Sequence, residues 1–180
     1  TGNGFFFFLK NAEGKSEIHV LNLKTFEYTP SAKAKFATVD AAKQIDDVKS
    51  RIKALHHGTD KAGDFYRNVT ALVNKYVSFR IPEIADELYK IDDAVKAGFG
   101  WELGPFETWD VLGVEKTAQM MEASGFAPAA WVKEMTAAGN KSFYITENGK
   151  RKFYDVATKS YKDIPGADAF ILLDNYRTQK

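Results

Sequence analysis

The sequence predicts a mainly α fold, helical through its middle, with small β-hairpins at both ends. Three observations carry this. Apolar residues recur at helical spacing from Phe65 to Val77 and again from Ile84 to Val95. Glycines then cut Phe106 to Gly139 into three helix-length pieces. Near each end, β-type segments flank turn residues, at Asn22 to Thr25 and at Glu147-Asn148-Gly149.

Composition narrows the possibilities. With 25 basic and 24 acidic residues among 180, the net charge of +1 argues against nucleic-acid binding or attachment to an acidic membrane. The absence of cysteine excludes disulfides and thiolate chemistry, and a cytoplasmic setting is expected. The longest apolar run, Phe5 to Leu9, is too short to span a bilayer. The chain opens at Thr1 without an initiator methionine or a targeting composition, so it is expected to be a piece of a longer protein.

Taken in order, Thr1 to Lys10 places four consecutive phenylalanines after two glycines, the composition of a buried strand. Ile18, Val20, Phe26 and Tyr28 alternate around Asn22 to Thr25 as a hairpin, closed by Pro30. Ser31 to Lys35 has the composition of a linker. A helical region follows, with Thr38 as its expected N-cap, and Val48, Ile52 and Leu55 lead to His56, His57 and Gly58. Neighbouring histidines on a helix diverge too far to chelate one metal easily, and a helix C-terminus favours a partly charged imidazole there.

Asp60 is placed to cap the longest helix, whose stripe of Phe65, Val69, Leu72, Val73, Tyr76 and Val77 should face the core. Pro82 should kink or break it. Glu83, Asp86, Glu87, Asp92 and Asp93 are expected on a solvated face. Ile91 and Val95 share a helix side, and Gly98 marks the expected stop. The turn beyond it combines Gly98, Gly100 and Gly104 with Phe99, Trp101, Pro105 and Phe106, either packed under other elements or forming the wall of an apolar pocket.

Short helices are predicted from Phe106 to Leu112, from Glu115 to Ser124, and from Pro128 as first residue to Gly139. Met120, Met121 and Met135 are core residues by spacing. Ser142 to Ile145 and Lys152 to Val156 pair across the Asn-Gly turn. Aligning Gly14 with Gly149 also matches Lys15 with Lys150, Lys24 with Lys159, Thr25 with Ser160, Phe26 with Tyr161 and Pro30 with Pro165. This internal likeness divides the chain into residues 1–30, the tail of a preceding unit; 31–165, a helical domain; and 166–180, with apolar Phe170 to Leu173, leading toward another domain.

Gly98-Phe99-Gly100 is not a dinucleotide loop, because a helix precedes it and Gly104 lies four residues after Gly100. Walker, zinc-spacing and Gly-x-Ser-x-Gly motifs are absent. With only His19, His56 and His57 available, a histidine-based active site within the chain is not expected.

Asp92, Ala94, Gly98, Phe99, Gly100, Gly104, Pro105, Phe106, Glu107, Asp110 and Gly113 together resemble the C-terminal helical domain of 3-hydroxyacyl-CoA dehydrogenases. Thr1 to Phe8 is similar to that domain's ending, with Phe6 where tyrosine is usual. The resemblance implies the second of two helical repeats in a long bacterial β-oxidation protein, with an NAD-binding Rossmann domain before them and an enoyl-CoA hydratase domain after. It implies catalytic groups and NAD bound outside this chain, and no catalytic, cofactor-binding or metal-binding residue within it. Where the first repeat carries an Asn-Arg pair, this chain has Phe79-Arg80. The implied roles are packing, a dimer or interdomain surface, and contact with the acyl part of an acyl-CoA substrate through Phe99, Trp101, Pro105 and Phe106. The alternative is a non-catalytic helical interaction module that has lost the dehydrogenase chemistry.

Overall fold

A computed structural model describes residues 4–32 and 34–166. The chain divides into two compact units, Thr1–Lys35 and Phe36–Lys180. In the first, β1 (Phe6–Lys10), β2 (Ser16–Leu21) and β3 (Tyr28–Pro30) form an antiparallel meander. Its register pairs Phe6 with Val20 and Leu21 with Tyr28. The phenylalanine run is a strand as expected, but it is not buried: Phe5, Phe6 and Phe8 are all exposed. Phe26 stands outside the strands, with φ 58°.

The second unit begins with α1 (Ala37–Ala42) and α2 (Val48–His56), two helices where one helical region was expected. Thr38 is not a cap. It lies inside α1, and its amide donates to Asp60 at 3.0 Å. Phe36 occupies the N-cap position of α1, while the Asp47 carboxylate caps α2 by accepting from the Ser50 amide. Asp60 also accepts from the amides of Ala62 and Gly63, so it caps α3 (Lys61–Phe79) as predicted.

The stripe on α3 faces the core only in part: Val77 is buried in it and Val73 packs against it. Phe65, Val69, Leu72 and Tyr76 are exposed, whereas Gly63, Thr70, Ala71, Asn74, Val77 and Ser78 are buried. The helix is turned so that small and polar residues meet its neighbours. Ser78 explains part of this choice: its hydroxyl accepts from the Ala129 amide at 3.0 Å, and its carbonyl accepts from Trp131 Nε1 at 2.8 Å. The chain breaks around Pro82, as expected, before α4 (Leu88–Phe99). Gly98 remains inside α4, and Gly100, at φ 67°, ends it in the left-handed conformation.

Next come α5 (Pro105–Leu112), α6 (Val114–Ala123) and α7 (Ala130–Ala137). Pro128 precedes the N-cap Ala129 rather than opening α7. The second meander, β4 (Tyr144–Glu147), β5 (Lys150–Asp155) and β6 (Ser160–Asp163), turns at Asn148 and Gly149, both at positive φ. Leu88, Phe106, Trp109, Val114, Met121, Val132, Met135 and Phe143 form the fully enclosed centre. The Phe143 ring lies 5.0 Å from Phe106, 5.1 Å from Trp109 and 5.7 Å from Trp131. The predicted segment beyond residue 166, with Phe170 to Leu173, lies outside the described residues, as do Thr1 to Asn3.

The two meanders are built alike. Leu21 donates its amide to the Phe5 carbonyl, and Tyr28 donates its hydroxyl to the Gly4 carbonyl. Tyr154 donates in the same way to Phe143, and Tyr161 to Ser142. These bonds equate Phe5 with Phe143, Phe6 with Tyr144 and Tyr28 with Tyr161. Phe26 then matches Lys159, and both have positive φ. This shifts the sequence alignment, which had paired Phe26 with Tyr161, because the first hairpin has both a longer turn, between Lys10 and Ser16, and a ladder one pair longer than the second, which turns between Glu147 and Lys150.

Candidate functional site

The signature residues converge where α4 meets α5. Asp92 is fully buried, the exception among carboxylates expected on a solvated face. Leu88 and Asp92 are four residues apart and share the buried side of α4. The Asp92 carboxylate accepts from the Phe106 amide at 2.8 Å, the Glu107 amide at 3.1 Å and the Tyr144 hydroxyl at 2.8 Å. It thus caps the first turn of α5 from a different helix, satisfying donors that have no partner within α5.

Gly104, the N-cap of α5, is required by this closeness, since a Cβ there would lie 2.4 Å from the Asp92 Cβ and Cγ. Glu107 reaches back to accept from the Gly104 amide at 2.6 Å and pairs with Lys96 and Arg151. Asp110 accepts from the Phe143 and Tyr144 amides, tying β4 to α5. Arg151 completes the cluster, its guanidinium 4.0 Å from the centre of the Tyr144 ring.

Electrostatics divide these carboxyls. Burial pushes Asp92 up to about 7 against the hydrogen bonds from Phe106 and Tyr144. Burial likewise pushes Asp110 to about 7, against its two backbone amides. Burial also opposes ionisation of Glu107, but the Gly104 amide, Arg151 and Lys96 outweigh it and hold this group below its ordinary value. Burial and the neighbouring Asp92 raise the Tyr144 phenol. The polar groups of the cluster point at one another, which makes it a joint between α4, α5, β4 and β5.

Beside this joint lies a cleft of about 580 Å³ between α2, α3 and the turn that leads into α5. Of the four residues expected to meet an acyl chain, the structure places Trp101 and Pro105 in its lining. Phe99 is 77 % exposed, with its ring 6.3 Å from that of Trp101. Phe106 is fully buried and turned into the aromatic core. The four are therefore not one wall. Arg51, Tyr66, Thr70 and Asn74 supply polar groups in the cleft that the sequence reading did not single out.

The histidines are not a pair of equals. His57 caps α2 and its Nδ1 lies 2.7 Å from the Lys53 carbonyl. His56 is buried, and desolvation with nearby His57, Arg67 and Lys116 lowers it to about 4, so it is neutral rather than partly charged. Phe79 ends α3 half-exposed, while Arg80 pairs with Glu83 at 3.0 Å and lies over the Tyr76 ring. Among the described residues no group of three or more histidine, aspartate or glutamate side chains is arranged to hold a metal ion. No helix among them is long and apolar enough to cross a membrane.

Nicotinamide dinucleotides bind where a parallel strand runs into a helix through a glycine-rich turn. Both sheets of the described residues are antiparallel meanders, and the Gly98-Phe99-Gly100 segment ends a helix, so these residues do not fit that cofactor.

Comparison with known proteins agrees with the signature. Residues 67–155 match the family model described as 3-hydroxyacyl-CoA dehydrogenase, C-terminal domain. A probable 3-hydroxyacyl-CoA dehydrogenase of Bacillus subtilis (strain 168) is 42 % identical over 155 residues, 86 % of this chain and 19 % of the relative. A putative fatty acid oxidation complex trifunctional enzyme of Rickettsia felis (strain ATCC VR-1525 / URRWXCal2) is 30 % identical over 184 residues, 98 % of this chain and 22 % of its own. The chain spans about a fifth of the length of these curated relatives. The Asp92, Gly104, Glu107 and Asp110 joint lies within the matched segment, and the chain belongs to the 3-hydroxyacyl-CoA dehydrogenase family through its C-terminal helical domain.

Proposed function

We propose that this chain is the second helical repeat of an NAD-dependent enzyme of fatty-acid β-oxidation that oxidises an L-3-hydroxyacyl-CoA to the 3-ketoacyl-CoA. Its part is packing, a dimer or interdomain surface, and contact with the acyl chain, while NAD and the catalytic groups belong to a Rossmann domain outside it, and a hydratase domain follows. The observation that carries this reading is the inward closure of the signature: Asp92 meets three donors, Asp110 two amides, and Glu107 a backbone amide and two cations. Groups so engaged build a scaffold and leave no base or acid free for chemistry.

The acyl contact is proposed at Trp101 and Pro105, with Phe99 beside Trp101 and Phe106 bracing the turn from the core. Exposed Phe65, Val69, Leu72 and Tyr76 on α3 support the interdomain or dimer surface. Residues 1–30 are proposed as the tail of a preceding repeat. Supporting this, Phe5 occupies the register position of Phe143 yet is 65 % exposed, while Phe143 is enclosed.

The test is NADH-dependent reduction of acetoacetyl-CoA. The 180-residue chain should show no turnover, and the longer protein that contains it should be active. Turnover by the 180 residues alone would refute the placement of the catalytic groups.

A further inference from the structure

We infer that the face of the first meander carrying Phe6, Phe8 and Ile18 is the docking surface for a helical unit outside this chain, one that is apolar where the unit of residues 36–166 is ionic. This rests on the reading of residues 1–30 as the tail of a preceding repeat, and adds what that repeat presents to them. The second meander shows how such a face is covered.

In β4 and β5 the ladder pairs Tyr144 with Phe153 and Thr146 with Arg151. The Tyr144 hydroxyl donates to Asp92 at 2.8 Å, Arg151 pairs with Glu107 at 2.8 Å, and Phe153 is buried in the core. Thr146 lies exposed at the rim. The Phe143 and Tyr144 amides donate to Asp110 at 2.7 and 2.9 Å. Two polar side chains and two amides thus fasten this sheet to α4 and α5.

The first meander has the same face with different chemistry. Its register, Phe6 with Val20 and Phe8 with Ile18, puts Phe6 at the place of Tyr144, Phe8 at Thr146, Ile18 at Arg151 and Val20 at Phe153. Directly paired residues, and residues two apart along a strand, share one side of a sheet, so these four make one patch. Phe6, Phe8 and Ile18 are all exposed. Where the second sheet offers two hydroxyls and a guanidinium, the first offers only hydrocarbon.

Residues 36–166 of a second copy do not suit this patch, because β4 to β6 already fill the matching place in that unit. A carboxylate like Glu107 set against Ile18 would also lose the cation that Arg151 supplies, and burying a charge short of its partner is costly. The occupant is therefore a helical unit whose own sheet position is open. It keeps a carboxylate where Asp110 stands, to accept the Phe5 and Phe6 amides, and turns apolar side chains toward Phe6, Phe8 and Ile18. The two repeats are not interchangeable.

Hydrogen–deuterium exchange read by mass spectrometry compares β1 and β2 in the 180-residue chain and in the longer protein that contains it. Both strands should exchange at least about tenfold more slowly in the longer protein, where the face is covered. Ile18→Arg, which restores the second meander's cation, should abolish that protection, and Phe6→Tyr should weaken it. Neither substitution should alter exchange in the 180-residue chain, where both positions are exposed. Protection kept or deepened by Ile18→Arg in the longer protein reveals an anionic acceptor opposite; it overturns the apolar partner and leaves residues 1–30 as the tail of a repeat. Equal exchange of the wild type in the two proteins overturns both. Sedimentation of the 180-residue chain checks the choice of occupant: a dimer that Ile18→Arg dissociates assigns the face to a second copy and overturns the inference.

Discussion

Asp92 accepts the backbone amide of Phe106 at 2.8 Å, so a side chain of one helix supplies the N-terminal cap of the next. Asp92→Ala leaves three donors without an acceptor in a buried site, including the Glu107 amide and the Tyr144 hydroxyl. The substitution should cost about 3 kcal/mol or more. Urea unfolding followed by tryptophan emission reads this directly, because Trp101, Trp109 and Trp131 all belong to the helical unit. A loss below about 1 kcal/mol would mean that the three bonds contribute little net stability.

Tyr144→Phe removes a single donor and leaves Asp92 with its two amides. Its cost should be about 1 kcal/mol, well short of Asp92→Ala. Phe6 already stands at the matching register position of the first meander, so the ring without its hydroxyl is compatible with the strand.

Two glycines of the same signature should respond in opposite directions. Gly104→Ala drives a methyl group into Asp92 and should destabilise by about 2 kcal/mol or more. Gly98→Ala sits inside α4 with open space around it, and should stabilise by up to about 1 kcal/mol through helix propensity. Paired thermal melts compare them, and equal effects would contradict the packing account.

Stability should fall as pH rises from about 4 to about 7. Asp92 and Asp110 have folded values near 7, above the ordinary 3.8, so between these limits the fold binds more protons than the unfolded chain. Their favourable contribution is complete below the unfolded value and is lost as pH climbs through the folded one. His56 opposes them: held at about 4 instead of 6.5, it makes stability rise with pH over part of the same range. His56→Leu should therefore steepen the fall between pH 4 and 6.5, and Asp92→Asn should flatten it. The carboxyls held low, Glu107, Asp47, Asp60 and Asp155, lose their contribution only in more acidic solution. Unfolding midpoints measured across pH 4 to 7.5 decide the sign.

Much of the element order was legible because local chemistry specifies it. The Asp60 cap, Gly113 after α5 and the Asn148-Gly149 turn each act within a few residues. The third strand of the second meander was missed because β6 is only four residues long, and one of them, Tyr161, is apolar in part and half-buried. Its partner β5 decides its place. The candidate site was legible only in part. Trp101 and Pro105 reach the cleft, but Phe106, next in sequence to Pro105, turns into the core because it follows α5 around by one helical step.

By itself the sequence determined the helical domain, its terminal β elements and the family signature, since periodicity, caps and spacing are properties of neighbouring residues. Tertiary structure decided which faces are inside. Counting apolar positions on α3 selects Phe65, Val69, Leu72, Val73, Tyr76 and Val77, yet of these only Val77 is buried and Val73 packs against the core, and the rest of the buried face carries Ala71, Asn74 and Ser78, with Ser78 bonding Ala129 and Trp131 more than fifty residues away. The same is true of Asp92: a carboxylate belongs in water until the Phe106 and Glu107 amides and the Tyr144 hydroxyl are brought to it, and only the fold brings them.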